Sequence, residues 1–300
     1  MKIVAIGELL WDVFPDSERL GGAPFNFAAH ARRLGHDVLF LSAVGDDERG
    51  RAALARAADI GLPAGYIQTV PDVATGMVTV ELDAAGKPTF TIHRPAAYDR
   101  LRLDGEALAH VAQFQPAWLY YGTLQQTDPQ IRALTRALVD ALPGARRFYD
   151  VNLRRGCYTS ALVDELLHDA HAVKLNDEEV EEVDRMFGLR HSSLEEFCRA
   201  WSARLGWEAV CVTRGARGCA VLAGGHYAEA PGYAVRVVDT VGAGDAFAAA
   251  FLHGLSLGWP AARTGDFANR LGAVVASRAG AVPDWTAADC AALGTGPGGK

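Results

Sequence analysis

The chain has 300 residues, half of them hydrophobic and 22% charged, with a net charge of −7. This composition excludes general disorder, and the acidic balance argues against a nucleic-acid or membrane-surface partner. No apolar run approaches the roughly 18 residues of a membrane span. No basic leader precedes the first strand-like run, and the five scattered cysteines form no CxxC. A cytoplasmic protein with reduced thiols is expected.

In chain order, residues 2–7 read as a short apolar strand, covered on both faces. Residues 25–34 read as an amphipathic helix, 38–45 as a strand and 51–60 as a helix. Residues 76–94 break this pattern: Val78, Val80 and Leu82 alternate with Thr79 and Glu81, a turn spans 83–88 around Gly86, and Phe90 and Ile92 resume the alternation. This hairpin either joins the segment 9–20 in a small separate sheet, a lid built from residues 9–20 and 74–99, or lies on the edge of the main sheet. An exposed face of Val78, Val80 and Leu82 would suit a homodimer, or would cover a ligand.

Strands at 118–122, 147–152, 172–176, 209–213 and 219–222 alternate with helices at 129–142, 178–187 and 194–205, and helices at 246–257, 261–279 and 286–293 follow. The order predicts one α/β domain over residues 1–300, a doubly wound, mostly parallel sheet with helices on both faces. The Gly- and Pro-rich tail 294–300 is expected to be disordered. Its Gly294, Gly296 and Gly299 spell GxGxxG with no helix after it, so no dinucleotide site is expected there. A P-loop and an HExxH are both absent from the sequence.

The segment Asp239-Thr-Val-Gly-Ala-Gly-Asp245 runs into a strongly helical stretch. The amides of Gly242, Ala243, Gly244 and Asp245 would converge at a helix N-terminus, which binds anions. A carboxylate inside such a site makes sense if Asp245 takes a proton from a hydroxyl that attacks a phosphoryl group. Alternatively, Asp245 only caps the helix.

This segment resembles the C-terminal signature of the ribokinase-like (PfkB) carbohydrate kinases. Gly21-Gly-Ala-Pro-Phe-Asn-Phe-Ala28 resembles their N-terminal signature, and Asp150-Val-Asn-Leu-Arg154 with Lys174-Leu-Asn-Asp-Glu-Glu179 resembles the motif between. Residues 7–15 look most like bacterial fructokinases. The resemblance implies a doubly wound core with a small β lid and an ATP-dependent transfer to a sugar hydroxyl, most simply fructose to fructose 6-phosphate. Kinases for 2-keto-3-deoxygluconate, ribose or a nucleoside share the pattern, and a non-catalytic sugar sensor is a further alternative. A keto acid would need a cation such as Arg94, and a nucleoside would need aromatic walls from Trp11, Phe14, Phe25 and Tyr98.

The resemblance also implies roles. Asp245 is the general base, with Gly242, Ala243 and Gly244 as anion hole and Arg154 as a charge clamp for phosphoryl oxygens or the sugar, although Arg154 also reads as a surface arginine. Asp12, Gly22 and Asn26 hold the sugar, although Asp12 also reads as a surface turn residue and Gly22 as a turn glycine. Lys174, Asn176, Thr213, Gly215, Gly218, Gly244 and Asn269 contact ATP; Thr213 to Gly218 also reads as a plain β-turn. Asn176 and Glu179 organise Mg2+ through water. Asp239, Val241, Val275, Arg278, Gly280 and Asp284 surround K+, mostly through carbonyl oxygens.

Overall fold

The computed structural model describes residues 1–82 and 88–294. The predicted turn around Gly86 and the tail after Gly294 lie outside these residues. The elements are β1 (Lys2–Ile6), β2 (Leu10–Val13), β3 (Glu18–Gly21), α1 (Ala23–Arg33), β4 (Asp37–Gly45), α2 (Glu48–Asp59), β5 (Ile67–Val70), β6 (Gly76–Leu82), β7 (Pro88–His93) and α3 (Gly105–Gln113). They continue with β8 (Trp118–Gly122), α4 (Thr123–Gln126), α5 (Pro129–Ala141), β9 (Arg146–Asp150), α6 (Ser160–Asp169), β10 (Ala172–Asn176), α7 (Asp177–Phe187) and α8 (Leu194–Leu205). Last come β11 (Ala209–Thr213), β12 (Cys219–Ala223), β13 (His226–Ala230), α9 (Ala243–Ser256), α10 (Ala261–Ala276) and α11 (Ala287–Ala292).

The chain forms two compact units. One holds residues 2–119 and 125–145. In it β1, β4 and β5 lie side by side, each pair parallel. Ile3 to Ile6 of β1 and Val38 to Val44 of β4 are almost wholly buried. Such strands read as unbroken apolar runs because both faces are covered. Helices α1 and α2 pack on β4.

The same unit contains a second, four-stranded sheet in the order β3-β2-β6-β7. It settles the two readings of the hairpin in favour of a separate sheet. One side packs down: Val78 and Val80 are 5% and 1% exposed, and Val78 lies in a cluster with Leu10, Ala96 and Tyr98. The exposed apolar face expected of these two valines is therefore absent. Phe90, opposite Val80 in the β6–β7 ladder, is 53% exposed. The side chain of Leu82 lies outside the description.

The other unit holds residue 1, residues 120–124 and everything from 146. Its strand order is β13-β12-β11-β10-β9-β8. β9, β10 and β11 are parallel, while β12 and β13 return antiparallel. Helix α10 packs on β12, β13 and α9. Phe148 and Phe251 pack with ring centroids 5.8 Å apart, and Tyr121 stacks on Tyr149 at 5.6 Å. β9 ends at Asp150, two residues before the expected end; Asn152 beyond it takes a φ of +38°. No helix among the described residues is long and apolar enough to cross a membrane.

Candidate active site

The expected residues fall in both units. In the C-terminal unit, Gly242 is the N-cap of α9 with a φ of +80°, and a Cβ there would lie 2.6 Å from Ala281 Cα, so only glycine fits. The N-cap residue, a glycine, has no side chain to cap this helix. Asp245 stands at the third helical position, which rules out the reading of it as the N-cap. The first intrahelical bond runs from Ala246 N–H to the Gly242 carbonyl at 2.8 Å, and the Ala243 N–H donates to the Thr240 carbonyl at 3.3 Å. Gly244 is exposed, and a Cβ on it would sit 3.8 Å from the Lys174 ammonium. The positive end of a 14-residue helix beside an ammonium suits an anion.

Lys174, on β10, is 6% exposed. Its Nζ donates to Asp150 Oδ1 at 2.8 Å, and the fully buried Asp150 accepts the Tyr120 hydroxyl on Oδ2 at 3.0 Å. Burial opposes the Lys174 charge, but Asp150 and Glu179 outweigh it and Asp245 adds to them, so the ammonium is held above the ordinary lysine range.

Glu179 is pushed up by burial against the pull of Lys174. Its two oxygens accept the N–H groups of Asn176 and Leu153, each at 2.8 Å, and Asn176 Oδ1 accepts the Glu179 N–H at 2.8 Å. The two residues are thus brought together as a capping box of α7, which by itself explains both residue types. Among the described residues, no three His, Cys, Asp or Glu side chains gather as metal ligands. A carboxylate oxygen accepts more than one donor, so the pair fits a hydrated ion held through water rather than direct ligation. Arg154 is exposed, its Nη1 directed to the neighbouring Leu153 carbonyl at 3.4 Å.

Thr213 closes β11, and its hydroxyl donates to the Leu175 carbonyl at 3.4 Å. Gly215 and Gly218 both have positive φ. A Cβ on Gly218 would lie 2.6 Å from Gly232 N, whereas Gly215 faces open space. The plain-turn reading of this segment therefore suffices for Gly218. Asn269 on α10 donates its amide to the carbonyls of Ala230 and Pro231, each at 3.1 Å, and so ties α10 to the end of β13.

The Asp239 carboxylate accepts Val241 N–H at 3.0 Å and Gly280 N–H at 3.1 Å. It joins the loop of Val241 to that of Gly280; of the six positions expected around K+, Val275 lies in the last turn of α10 and the other five in these loops. The Val275 carbonyl accepts Arg278 N–H at 3.0 Å, and the Arg278 guanidinium binds the Asp284 carbonyl and Asp289. Tied loops rich in carbonyl oxygens fit a monovalent cation, although the guanidinium places a competing positive charge at Asp284.

In the N-terminal unit, Asp12 lies half-buried on β2 opposite Arg19, so it is not a surface turn residue. A Cβ on Gly21 would come 2.9 Å from Asp12 Oδ2, so that glycine leaves room for the carboxylate. Gly22 is the N-cap of α1 with a φ of +108°, and any Cβ would collide with the Glu8 carbonyl; chain geometry alone requires it. Asn26 is buried in the first turn of α1, its N–H donating to the Gly22 carbonyl at 2.9 Å. Arg94 grips Asp99 with two hydrogen bonds, of 2.6 and 3.1 Å, and donates to Thr127. Phe25 and Tyr98 are core residues; Trp11 donates to the Arg49 carbonyl at 3.1 Å. Sequence reasoning gave Tyr120 no role and placed Asp150 only as a motif member. The available signal was a carboxylate directly after the apolar pair Phe148–Tyr149 at the end of β9.

Parallel strands joined by helices, with a glycine-led helix carrying an aspartate in its first turn, define a ribokinase-like α/β fold. The pfkB family carbohydrate kinase domain matches residues 3–288, and the chain belongs to that family of carbohydrate kinases. A fructokinase of Klebsiella pneumoniae is 32% identical over 268 residues, covering 85% of this chain and 84% of that one. A fructokinase double mutant of Vibrio cholerae O395, solved in fructose, ADP and potassium ion bound form, is 26% identical with a TM-score of 0.79 over 98% of both chains. The ATP-bound fructokinase structure from Xylella fastidiosa, at 24% identity, superposes with a TM-score of 0.81 over 94% of both chains.

Proposed function

We propose that the protein transfers the γ-phosphoryl group of ATP to a hydroxyl of a neutral sugar, with D-fructose going to fructose 6-phosphate. One observation carries the reading: Asp245 sits in the first turn of α9, a helix led by Gly242 and Gly244, beside the buried ammonium of Lys174. In this reading Asp245 takes the hydroxyl proton as the oxygen attacks phosphorus. The Gly242–Gly244 turn, Lys174 and Arg154 receive the charge of the transferring group, since positioning and charge stabilisation dominate such chemistry. Thr213, Gly215, Gly218 and Asn269 border the nucleotide. Asn176 and Glu179 would hold magnesium through water, where the ion neutralises phosphate charge. Asp239 and the loops it ties would hold K+, and Asp12, Gly22 and Asn26 bind sugar hydroxyls.

The fructokinase relatives support fructose. Arg94, the cation that a keto acid's carboxylate would need, is already neutralised by Asp99, which favours an uncharged sugar. Burial of Phe25 and Tyr98 in the core speaks against their forming nucleoside walls. The four-stranded sheet acting as a lid, a homodimer meeting there near Phe90, and a cytoplasmic location belong to the same reading.

The test is a coupled assay with MgATP and KCl against fructose, 2-keto-3-deoxygluconate, ribose, adenosine, glucose and tagatose. Turnover is expected with fructose, falling about 10²–10⁴-fold in Asp245→Asn. Chelation of magnesium abolishes it, and replacing KCl by a tetramethylammonium salt lowers it. Turnover with another member alone would replace the substrate, and an Asp245→Asn variant as fast as wild type would refute the assigned base.

A further inference from the structure

We propose that Asp150 and Tyr120 are positioning residues that act through Lys174, aiming its ammonium at the phosphate-binding turn of α9. The inference rests on the kinase reading but concerns only the nucleotide. Asp150 and Lys174 are register partners in the parallel β9–β10 pair, so their side chains leave the same face of the sheet. The Val151 N–H to Lys174 carbonyl bond, at 3.0 Å, locks that register beside them. Tyr120, on β8, fixes the second carboxylate oxygen at 3.0 Å, and its own ring is set edge-on against Phe148 at 5.4 Å.

A lysine side chain has four rotatable carbons and normally reaches solvent. Here it is 6% exposed and ends where the missing Cβ of Gly244 leaves space, 3.8 Å away. The chain Tyr120–Asp150–Lys174 thus runs across three strands to the helix turn. A buried ion pair adds little net stability compared with apolar residues of the same volume. Its placement makes sense as a fixed cation, preorganised for an incoming anion. An ammonium has three donors, and the one on Asp150 sets the direction of the other two.

The experiment measures MgADP binding by calorimetry without sugar, together with separate KM values for ATP and sugar. It uses wild type, Lys174→Met, Asp150→Asn, Tyr120→Phe and the Asp150→Asn/Lys174→Met double variant. Lys174→Met and Asp150→Asn should each weaken MgADP binding and raise the KM for ATP about tenfold to a hundredfold. The sugar KM should stay within about twofold, and the double variant should bind no more weakly than Lys174→Met alone, because coupled residues are not additive. Tyr120→Phe should weaken MgADP binding by a smaller factor, about twofold to tenfold. Wild-type affinity in Asp150→Asn, or losses that multiply in the double variant, would overturn the proposal. If Asp150→Asn fails to fold, unchanged MgADP binding by Tyr120→Phe overturns it. A wild type that binds MgADP but phosphorylates no sugar of the panel removes the sugar reading and leaves this test standing. A wild type that binds no MgADP removes both.

Discussion

Gly242 and Gly244 stand two residues apart and answer to different constraints. Gly242 is held by its positive φ and by Ala281 against it, so Gly242→Ala should lose about 1–3 kcal/mol of stability or more. Gly244 lies in helical backbone, with only Lys174 within ordinary contact distance of a new Cβ. Gly244→Ala should therefore fold as well as wild type, yet bind MgADP more weakly because a methyl group covers the anion's approach. Thermal denaturation with and without MgADP separates the two: the first variant melts lower in either condition, the second only fails to gain from the nucleotide. The two-glycine spacing was legible in the sequence, but this division of labour was not. It depends on Ala281 and Lys174, which the chain brings up from 39 residues after one glycine and 70 residues before the other.

Most helices announce their starts. Asp47, Asp104, Asp128, Thr159, Ser193 and Thr286 each accept a backbone N–H as N-cap. Asp47 does more, because its two oxygens take the Gly50 N–H, the Thr75 N–H and the Thr75 hydroxyl, at 2.7 to 2.8 Å. Burial pushes the Asp47 carboxyl up, but these hydrogen bonds, with Arg49 nearby, outweigh it and hold it below its usual value of 3.8. A depressed carboxyl stabilises the fold above the unfolded value and loses that contribution as pH falls through the folded one. Asp47→Asn should thus cost about 1–2 kcal/mol at pH 7, and the gap to wild type should begin to narrow as pH falls below about 4. Denaturant melts at pH 7, 5 and 3.5 check this, and a gap independent of pH would contradict it. The sequence reading missed α3 despite its Asp104 cap, the single turn α4, and three further elements. β5 is four residues long, β13 is rich in small and polar residues, and α6 follows a turn-like stretch that hid its Thr159 cap.

Across the whole molecule, the family was legible because its motifs are local strings: the glycine pairs at 21–22 and 242–244, and the DVNLR and KLNDEE segments. The buried network was not. Tyr120, Asp150 and Lys174 lie 30 and 24 residues apart in the chain and meet only because β8, β9 and β10 are neighbours. The valines of the hairpin likewise alternated as expected, but alternation fixes which residues share a face, not whether that face meets solvent or Leu10 and Tyr98.

The distribution of sulfur has a practical consequence. Cys198, Cys211, Cys219 and Cys290 are buried, while Cys157 is half-buried. Burial pushes the thiols of Cys198 and Cys219 up to about 12, that of Cys290 to about 11, and that of Cys211 well above its usual value. Since the thiolate is the reactive form, a maleimide at neutral pH should add once to the folded protein and five times after denaturation, as intact mass would register. The single adduct falls on Cys157, whose N–H donates to the Arg154 carbonyl at 2.9 Å. The unmodified chain therefore carries a natural attachment point for a fluorescent reporter, three residues from the arginine assigned to the phosphoryl group.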